Sequence, residues 1–444
     1  MIVPRTRLIL WVSLIVLPFA AVGATLPGAL PLSIVLIGGL AALAVFDAIR
    51  SRGALAGIRI ELPPLVRLQK DNAGEIEVSL HNESMAARSV RLGFALPREI
   101  VSPTDDRIAA LPSGAALSRI NWPVIPRRRG LYRIDRAFLE ASSPLGFWAV
   151  RASQPTAAEL RVYPDLLSER RNVAALFLRR GQLGSRALRQ AGHGRDFEKL
   201  REYVPGDSFD EIHWKASAKR GHPVTKVFQV ERTQEVYVIV DASRLSGRKI
   251  AADGGAVPAL ERFVTAALIL GAAAERQGDQ FGLLTFSDRM LSFLRAKNGQ
   301  AHYDACRDRL YTLQPQAVTP DFDELCSFIR VRLRRRALLI FLTALDDPML
   351  AESFAKAVEL ICRQHLILVD MLQPPGAVPL FSDAAVHNVQ DLYRQLGGHL
   401  RWRDLRELAK LLERRGVRLS LLDAGRLAAQ VVAQHAEVKA RQLL

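Results

Sequence analysis

The sequence predicts an α/β chain in three parts: a helical hairpin that crosses a membrane, a β-sandwich, and a doubly wound, mostly parallel sheet flanked by helices. Three observations carry this. No charged residue interrupts Leu8 to Phe46, apolar and polar residues alternate between about Ile58 and Pro164, and from Val236 onward apolar strand-like runs alternate with helical ones. A chain of 444 residues also exceeds what a single core fills.

The uncharged run would make a helix of about 58 Å, nearly twice the apolar thickness of a bilayer. Two crossings fit it, with a break at Gly23-Ala24-Thr25-Leu26-Pro27-Gly28, where Gly and Pro mark a turn. Arg5 and Arg7 flank the first segment, and Arg50 and Arg52 the second. Positive charge at both outer ends places both in the cytoplasm, with the large C-terminal region behind them. A cleaved signal peptide ending near Val22-Gly23-Ala24 is the competing reading; the second segment then still holds the chain at the membrane.

The next part shows short alternating runs, Glu75–Leu80, Ser89–Phe94 and Gly130–Ile134, separated by Asn82-Glu83-Ser84, Leu96-Pro97 and Leu111-Pro112-Ser113-Gly114. Such spacing predicts a sandwich resembling immunoglobulin or fibronectin modules. The triple arginine Arg127-Arg128-Arg129 reads either as a solvated hairpin end or as a contact for anionic lipid.

In the C-terminal half, Val236–Val240, Phe281–Phe286, Leu291–Leu294, Ala337–Thr343, Leu366–Leu372 and Arg418–Asp423 read as strands. Several are almost continuously apolar, as strands buried on both faces must be. Helices fit Pro258–Gln277, Ala301–Thr312, Asp321–Arg334, Met349–Arg363 and Arg401–Arg415. In such a fold ligands bind at the carboxyl ends of the strands, which puts the loop Asp241–Gly247 at the binding edge.

Between these halves, Arg195 to Glu231 packs Arg201-Glu202-Tyr203, Pro205-Gly206-Asp207 and Trp214-Lys215-Ala216-Ser217-Ala218-Lys219 into one polar run studded with aromatic residues. Such mixtures sit at packed junctions or binding faces. This block, leading into an apolar strand and Asp241-Ala242-Ser243, resembles the bacterial family catalogued as domain of unknown function fifty-eight. Arg127-Arg128-Arg129-Gly130 and Ser143-Pro144-Leu145-Gly146-Phe147 look like two further family signatures, the second with Ser143 where an Asp is usual. The resemblance implies a von Willebrand factor A-like domain over 236–444, after a transmembrane hairpin (1–52), a sandwich (53–165) and a connector carrying the signature (166–235).

The block has two readings. In one, its alternating charges form an internal network joining the β and α/β domains: Arg201 pairs with Asp207 or Glu231, Pro205-Gly206 makes a tight turn, and Trp214 fills the junction. In the other, Arg201, Asp207, Trp214 and Lys215 belong to a surface that grips another protein.

A von Willebrand A-like fold carries a metal-ion-dependent adhesion site of Asp-x-Ser-x-Ser after the first strand, a Thr from a later loop, and an Asp after the fourth strand. The resemblance places Asp241, Ser243 and Thr319 there, but Leu245 replaces the second serine and Ala344 the aspartate, with Asp346 the nearest substitute. Mg²⁺ wants near-octahedral oxygen ligation, and Arg244 adds a repelling charge, so the site reads as degenerate, with Asp241 and Ser243 capping the first helix.

Nothing else carries recognisable chemistry. The sequence holds no phosphate-binding loop with its lysine, no His-Glu-x-x-His, no Cys-x-x-Cys and no Gly-x-Ser-x-Gly. Cys306, Cys326 and Cys362 read as reduced thiols, and His193 and His213 have no nucleophile at motif spacing. The net charge of +16 suits an anionic partner, and the run Arg330-Val331-Arg332-Leu333-Arg334-Arg335-Arg336 is half explained by the C-terminal end of its helix. The rest of that run suits an acidic partner surface or phospholipid; no nucleic-acid-binding motif is present.

The expectation is a non-enzymatic adaptor of the bacterial inner (cytoplasmic) membrane, without a cofactor. The resemblance implies a MoxR-type AAA+ ATPase and other membrane proteins as partners. The alternative is a divalent-metal-dependent adhesion or sensing module acting through Asp241, Ser243 and Thr319.

Overall fold

The computed structural model describes residues 1–86, 88–166, 191–204, 209, 212–229, 234–252, 255–380, 382 and 388–441. Within the signature block, Pro205, Gly206, Asp207 and Glu231 lie outside these described residues. The chain divides into two compact units, Met1–Asp165 and Leu166–Leu444.

The first unit begins with strand β1 (Ile2–Pro4), followed by helices α1 (Thr6–Thr25) and α2 (Leu30–Ser51), each long and apolar enough to cross a membrane. Pro18 lacks an N–H and would press on the carbonyl one turn back. The helix absorbs this by widening to a π turn at Val12–Val16. The chain reverses at the break the Pro-Gly signal marks, and α1 closes on α2 at Gly23. A Cβ there would stand 3.1 Å from Ser33 Oγ, so glycine favours that close approach and a larger residue would push Ser33 back by a few tenths of an ångström.

Strands β2 (Ile58–Glu61), β3 (Leu65–Gln69), β4 (Gly74–Asn82), β5 (Arg88–Phe94), β6 (Ile100–Val101), β7 (Asp106–Leu111), β8 (Leu117–Pro126), β9 (Gly130–Ser142) and β10 (Trp148–Tyr163) form the sandwich. One sheet runs β1-β10-β9-β5-β7 with β3 also on β10; the other runs β2-β4-β8-β6. Alternate residues face inward, so Ile76, Val78 and Leu80 meet Val90, Leu92, Leu139 and Leu160 across the gap. Trp122 lies edge-on to Phe94 at 4.8 Å.

Because β1 pairs with β10 (Ile2↔Val150), both outer ends of the helical hairpin return to the same sandwich. Asp47, buried near the end of α2, accepts hydrogen bonds from Ser143 Oγ (2.5 Å), the Leu145 amide (3.0 Å) and the Phe147 amide (3.2 Å). The loop that departs from its family pattern at Ser143 is therefore held by a carboxylate from the helix. Trp148 Nε1 adds a bond to Ala44 O at 2.8 Å. The triple arginine sits at the opposite end of β9, roughly 40 Å of strand away from this junction. Arg129 is buried there, and Arg127 faces Asp71 at 3.5 Å. With Arg129 buried, the three arginines are not a fully solvated hairpin end, although Arg127 and Arg128 are exposed.

The second unit opens with a ribbon of β11 (Ala191–Glu202) and β12 (Val224–Gln229), with helix α3 (Trp214–Arg220) between them in sequence. The sheet that follows contains β13 (Glu235–Asp241), β16 (Gln280–Phe286), β17 (Met290–Lys297), β18 (Leu338–Leu342), β19 (Leu366–Leu372) and β20 (Val417–Leu422). A short hairpin, β14 (Lys249–Ala252) with β15 (Gly255–Pro258), precedes α4 (Ala259–Arg276). The remaining helices are α5 (Gln300–Leu310), α6 (Phe322–Arg332), α7 (Pro348–Ala357), α8 (Val389–Arg414) and α9 (Leu427–Ala440).

Most ladders in the chain are antiparallel, but four of the five in this sheet are parallel, with only the β16–β17 pair antiparallel. The order β17-β16-β13-β18-β19-β20 is third-second-first-fourth-fifth-sixth among its strands, with helices on both faces. Val236, Val238 and Val240 of the central strand pack toward α4, α5 and α9, while Tyr237 and Ile239 pack toward α6, α7 and α8. Gly282 leaves room for the Tyr237 ring, which a Cβ would meet at 2.3 Å. This is the doubly wound, von Willebrand A-like architecture, and it sets a crevice where the order reverses, beside the carboxyl ends of β13 and β18.

Candidate functional site

At that reversal Asp241 closes β13, fully buried. Its Oδ1 accepts the Ser243 amide at 2.7 Å and its Oδ2 accepts Thr343 Oγ1 at 2.6 Å. Burial pushes its carboxyl above the usual range, opposed by the bonds from Thr343 and Ser243. Ser243 Oγ accepts from the Leu245 amide at 3.3 Å and caps a single 3₁₀ turn, Arg244–Gly247. The loop is pinned from the far side by Gln316 N to Ala242 O (2.7 Å) and Arg244 N to Val318 O (2.9 Å).

Guanidinium groups hold the other expected ligands. Arg244 Nε donates to Thr319 Oγ1 at 3.4 Å and also lies 3.9 Å from Asp347. Arg248 ion-pairs with Asp346, whose side chain is largely buried. Asp347 caps α7 by accepting the Met349 amide at 3.0 Å. The four sequence candidates thus fall into separate bonds: Asp241 with Ser243, Thr319 with Arg244, and Asp346 with Arg248. This donor set does not fit a hard divalent cation, which needs free carboxylate oxygens and no competing cation. Among the described residues, no group of three or more His, Cys, Asp and Glu could hold a metal ion. Thr343 is the group sequence reasoning missed; a hydroxyl ending an otherwise apolar strand is its only signal.

The described part of the signature block divides between two elements. Arg201, Glu202 and Tyr203 stand at the end of β11, in register with Val224 and Thr225 or just past them; the Tyr203 amide donates to Pro223 O at 3.0 Å. Trp214, Lys215 and Ala218 lie on α3, whose cap is His213: its Nδ1 accepts the Ala216 amide at 3.1 Å. Ser217 Oγ accepts the Val224 amide at 2.9 Å, and Gly221 ends the helix with φ +74°. His213 is therefore a helix cap. Trp214 is 67% exposed, and Phe209 and Val204 are exposed as well, so that tryptophan does not fill a core. Glu202 pairs with His222 at 3.7 Å.

Two further buried carboxylates lie beneath α9. Asp279 receives Lys439 Nζ at 2.8 Å and His435 Nε2 at 3.3 Å. Burial alone would raise its carboxyl, but the bonds from His435 and Lys439 outweigh this and hold it below the usual range. Asp370 of β19 is buried without a well-formed hydrogen bond to either oxygen. Burial pushes it up to about 7, against weaker pulls from Gln434, Arg418 and Ser420. The buried thiols of Cys306 and Cys326 are pushed up to about 12 and are inert.

Solved structures offer distant likenesses. BatB, a conserved hypothetical protein from Bacteroides thetaiotaomicron, is 15% identical, with 47% of this chain and 99% of that chain covered at a TM-score of 0.30. An aerotolerance-related membrane protein from Bacteroides fragilis is 16% identical, with 46% and 98% covered at 0.29. The VWA domain of SpRpn10 is 9% identical, with 46% and 95% covered at 0.28. The fold is carried by the strand order above and not by these values. No curated protein matches the chain. Residues 199–386, from the end of β11 past β19, match the family model described as "Protein of unknown function DUF58".

Proposed function

We propose that the chain is a non-catalytic, membrane-anchored platform whose α/β unit binds a protein partner at the carboxyl pole of its sheet, without a metal ion. One observation carries the reading: the crevice where such folds take ligands is closed by internal bonds and rimmed with half-exposed charges. Arg244, Arg248 and Asp347 have side chains 51%, 47% and 41% exposed. Charges in that setting steer and select a protein surface more than they transform a small molecule. The hydroxyls that lie beside carboxylates there, Thr343 on Asp241 and Ser287 on Asp288, are buried.

The partner best supported by the family resemblance is a MoxR-type AAA+ ATPase or its client, which would supply the energy for assembling an envelope complex. Arg5, Arg7, Arg50 and Arg52 favour the inner membrane with the α/β unit in the cytoplasm. The test is crosslinking in native membranes followed by affinity purification of the full chain. Recovery of an AAA+ ATPase that is lost in R244E and insensitive to chelator supports the platform. No ATPase under crosslinking, or a chelator-sensitive capture, overturns it.

A further inference from the structure

One pole of the α/β sheet is lined with exposed arginines. Its parallel strands start together, with Glu235 level with Gln280, Val236 with Leu338, Leu338 with Leu366 and Ile367 with Val417. Where they finish, Asp241 is buried, and Asp347 and Asp346 face Arg244 and Arg248. Where they start, Arg334, Arg335 and Arg336 fill the turn before β18, Arg363 the turn before β19, and Arg330 and Arg332 the last turn of α6; all six are exposed. Gln364 Nε2 ties the two turns into one surface, donating to the carbonyls of Leu333 (3.0 Å) and Arg334 (2.9 Å).

Neighbouring cations spend their charge locally: Arg415 pairs with Glu359 and Lys356 with Glu352, each at 2.8 Å. Among the described residues, Arg330, Arg332, Arg334, Arg335 and Arg363 have no such carboxylate partner. The helix dipole accounts for Arg330 and Arg332 only. Val331, 70% exposed, and Leu360 stand bare among these arginines. Apolar tips within a cationic field suit the boundary between headgroups and acyl chains. Two helices of the same chain are apolar and long enough to hold it in a bilayer, so headgroups are at high effective concentration around any patch it carries. The polypeptide also joins the sheet at Glu235, on this same pole.

We propose that this arginine pole docks on the anionic headgroups of the bilayer that anchors the chain, turning the opposite, partner-binding pole toward the aqueous phase. The inference rests on the anchored-platform reading and adds its orientation.

The experiment uses the full chain in vesicles of phosphatidylcholine alone or mixed with phosphatidylglycerol. An environment-sensitive fluorophore is carried by V331C in a C362S background, with nitroxide lipids as quencher. Quenching in the anionic vesicles, its release by high salt, and its absence in neutral vesicles are expected. R334Q/R335Q should lower the ratio of docked to undocked chain about thirtyfold, from roughly fivefold per cation. Equal signals in both vesicles, or a salt-independent signal in the unmutated label carrier, would overturn the proposal without relying on the double variant. If the occupant is instead an acidic protein, the label stays unquenched in both purified vesicles, which also overturns it. ATPase capture is read separately: its loss with lipid docking intact sinks the platform reading alone, and its survival in R334Q/R335Q leaves that reading untouched.

Discussion

Asp370 sits in the middle of β19 on the face covered by α9, level with Leu342 on one side and Ser420 on the other. Its carboxylate is buried and its oxygens lack good donors, so the charged form is disfavoured and the group titrates at about 7. From the ordinary 3.8 to about 7, the penalty on the charged form is ~4 kcal/mol. Between these pH values the folded chain holds a proton that the unfolded chain has released. Stability therefore falls as pH rises through the window, reaches its floor above about 7, and recovers below 3.8 as far as this group is concerned. Asp370→Asn mimics the protonated form at every pH. Its buried amide costs about 1–3 kcal/mol if left unsatisfied, a cost that does not vary with pH. The readable quantity is thus the change in the difference between the two proteins, not the difference itself. Thermal melts of the full chain in detergent, from pH 5 to pH 9, should show the asparagine variant gaining on the unmutated protein by ~3 kcal/mol, or about 5–11 °C, because the rest of the penalty is already present at pH 5. A difference in melting temperature that stays flat across that range would refute the buried-carboxylate account.

Other predictions follow from contacts already described. Lys439→Met removes one donor from Asp279 and should cost about 2 kcal/mol near neutral pH. Because Asp279 is held below the usual carboxylate range, that advantage of the unmutated chain should shrink as pH falls through the lowered value, a loss visible in acid melts. Gly282→Ala drives a methyl into the Tyr237 ring and toward the Ala296 amide; a loss of about 3 kcal/mol is expected, and an unchanged melt would show the ring can move aside. Asp47→Ala strips three donors of their acceptor at the end of α2 and should destabilise the first unit by about 2–3 kcal/mol, seen as faster proteolysis around Ser143–Trp148.

How far the sequence could be read depended on which physical signal each element left. The six sheet strands were legible because burial on both faces forces unbroken apolar runs. Helix α8 was only half legible: it starts at Val389, capped by Asn388, twelve residues before the expected Arg401. Gly397-Gly398 lowers local helix propensity, yet a Cβ on Gly398 would meet Gly376 O at 1.9 Å, so tertiary packing demands the weak residue. The expected helix Met349–Arg363 stops at Ala357, where the chain tightens to a 3₁₀ turn. Strand β1 left no signal, since three residues cannot show a period. At the candidate site, Asp241 and Ser243 stood out by spacing. Their true partner, Thr343, comes from a strand a hundred residues on, a meeting that only the sheet order reveals.

The pairing of Ile2–Pro4 with β10 makes the apolar hairpin an excursion from the edge of the sandwich, entered and left beside the same sheet. A fragment beginning after Arg52 would leave the main-chain groups of Trp148–Val150 without their neighbour, and an open strand edge recruits the nearest substitute. Truncated soluble versions should accordingly self-associate along that margin, and biochemistry on this molecule is best done with its first four residues intact.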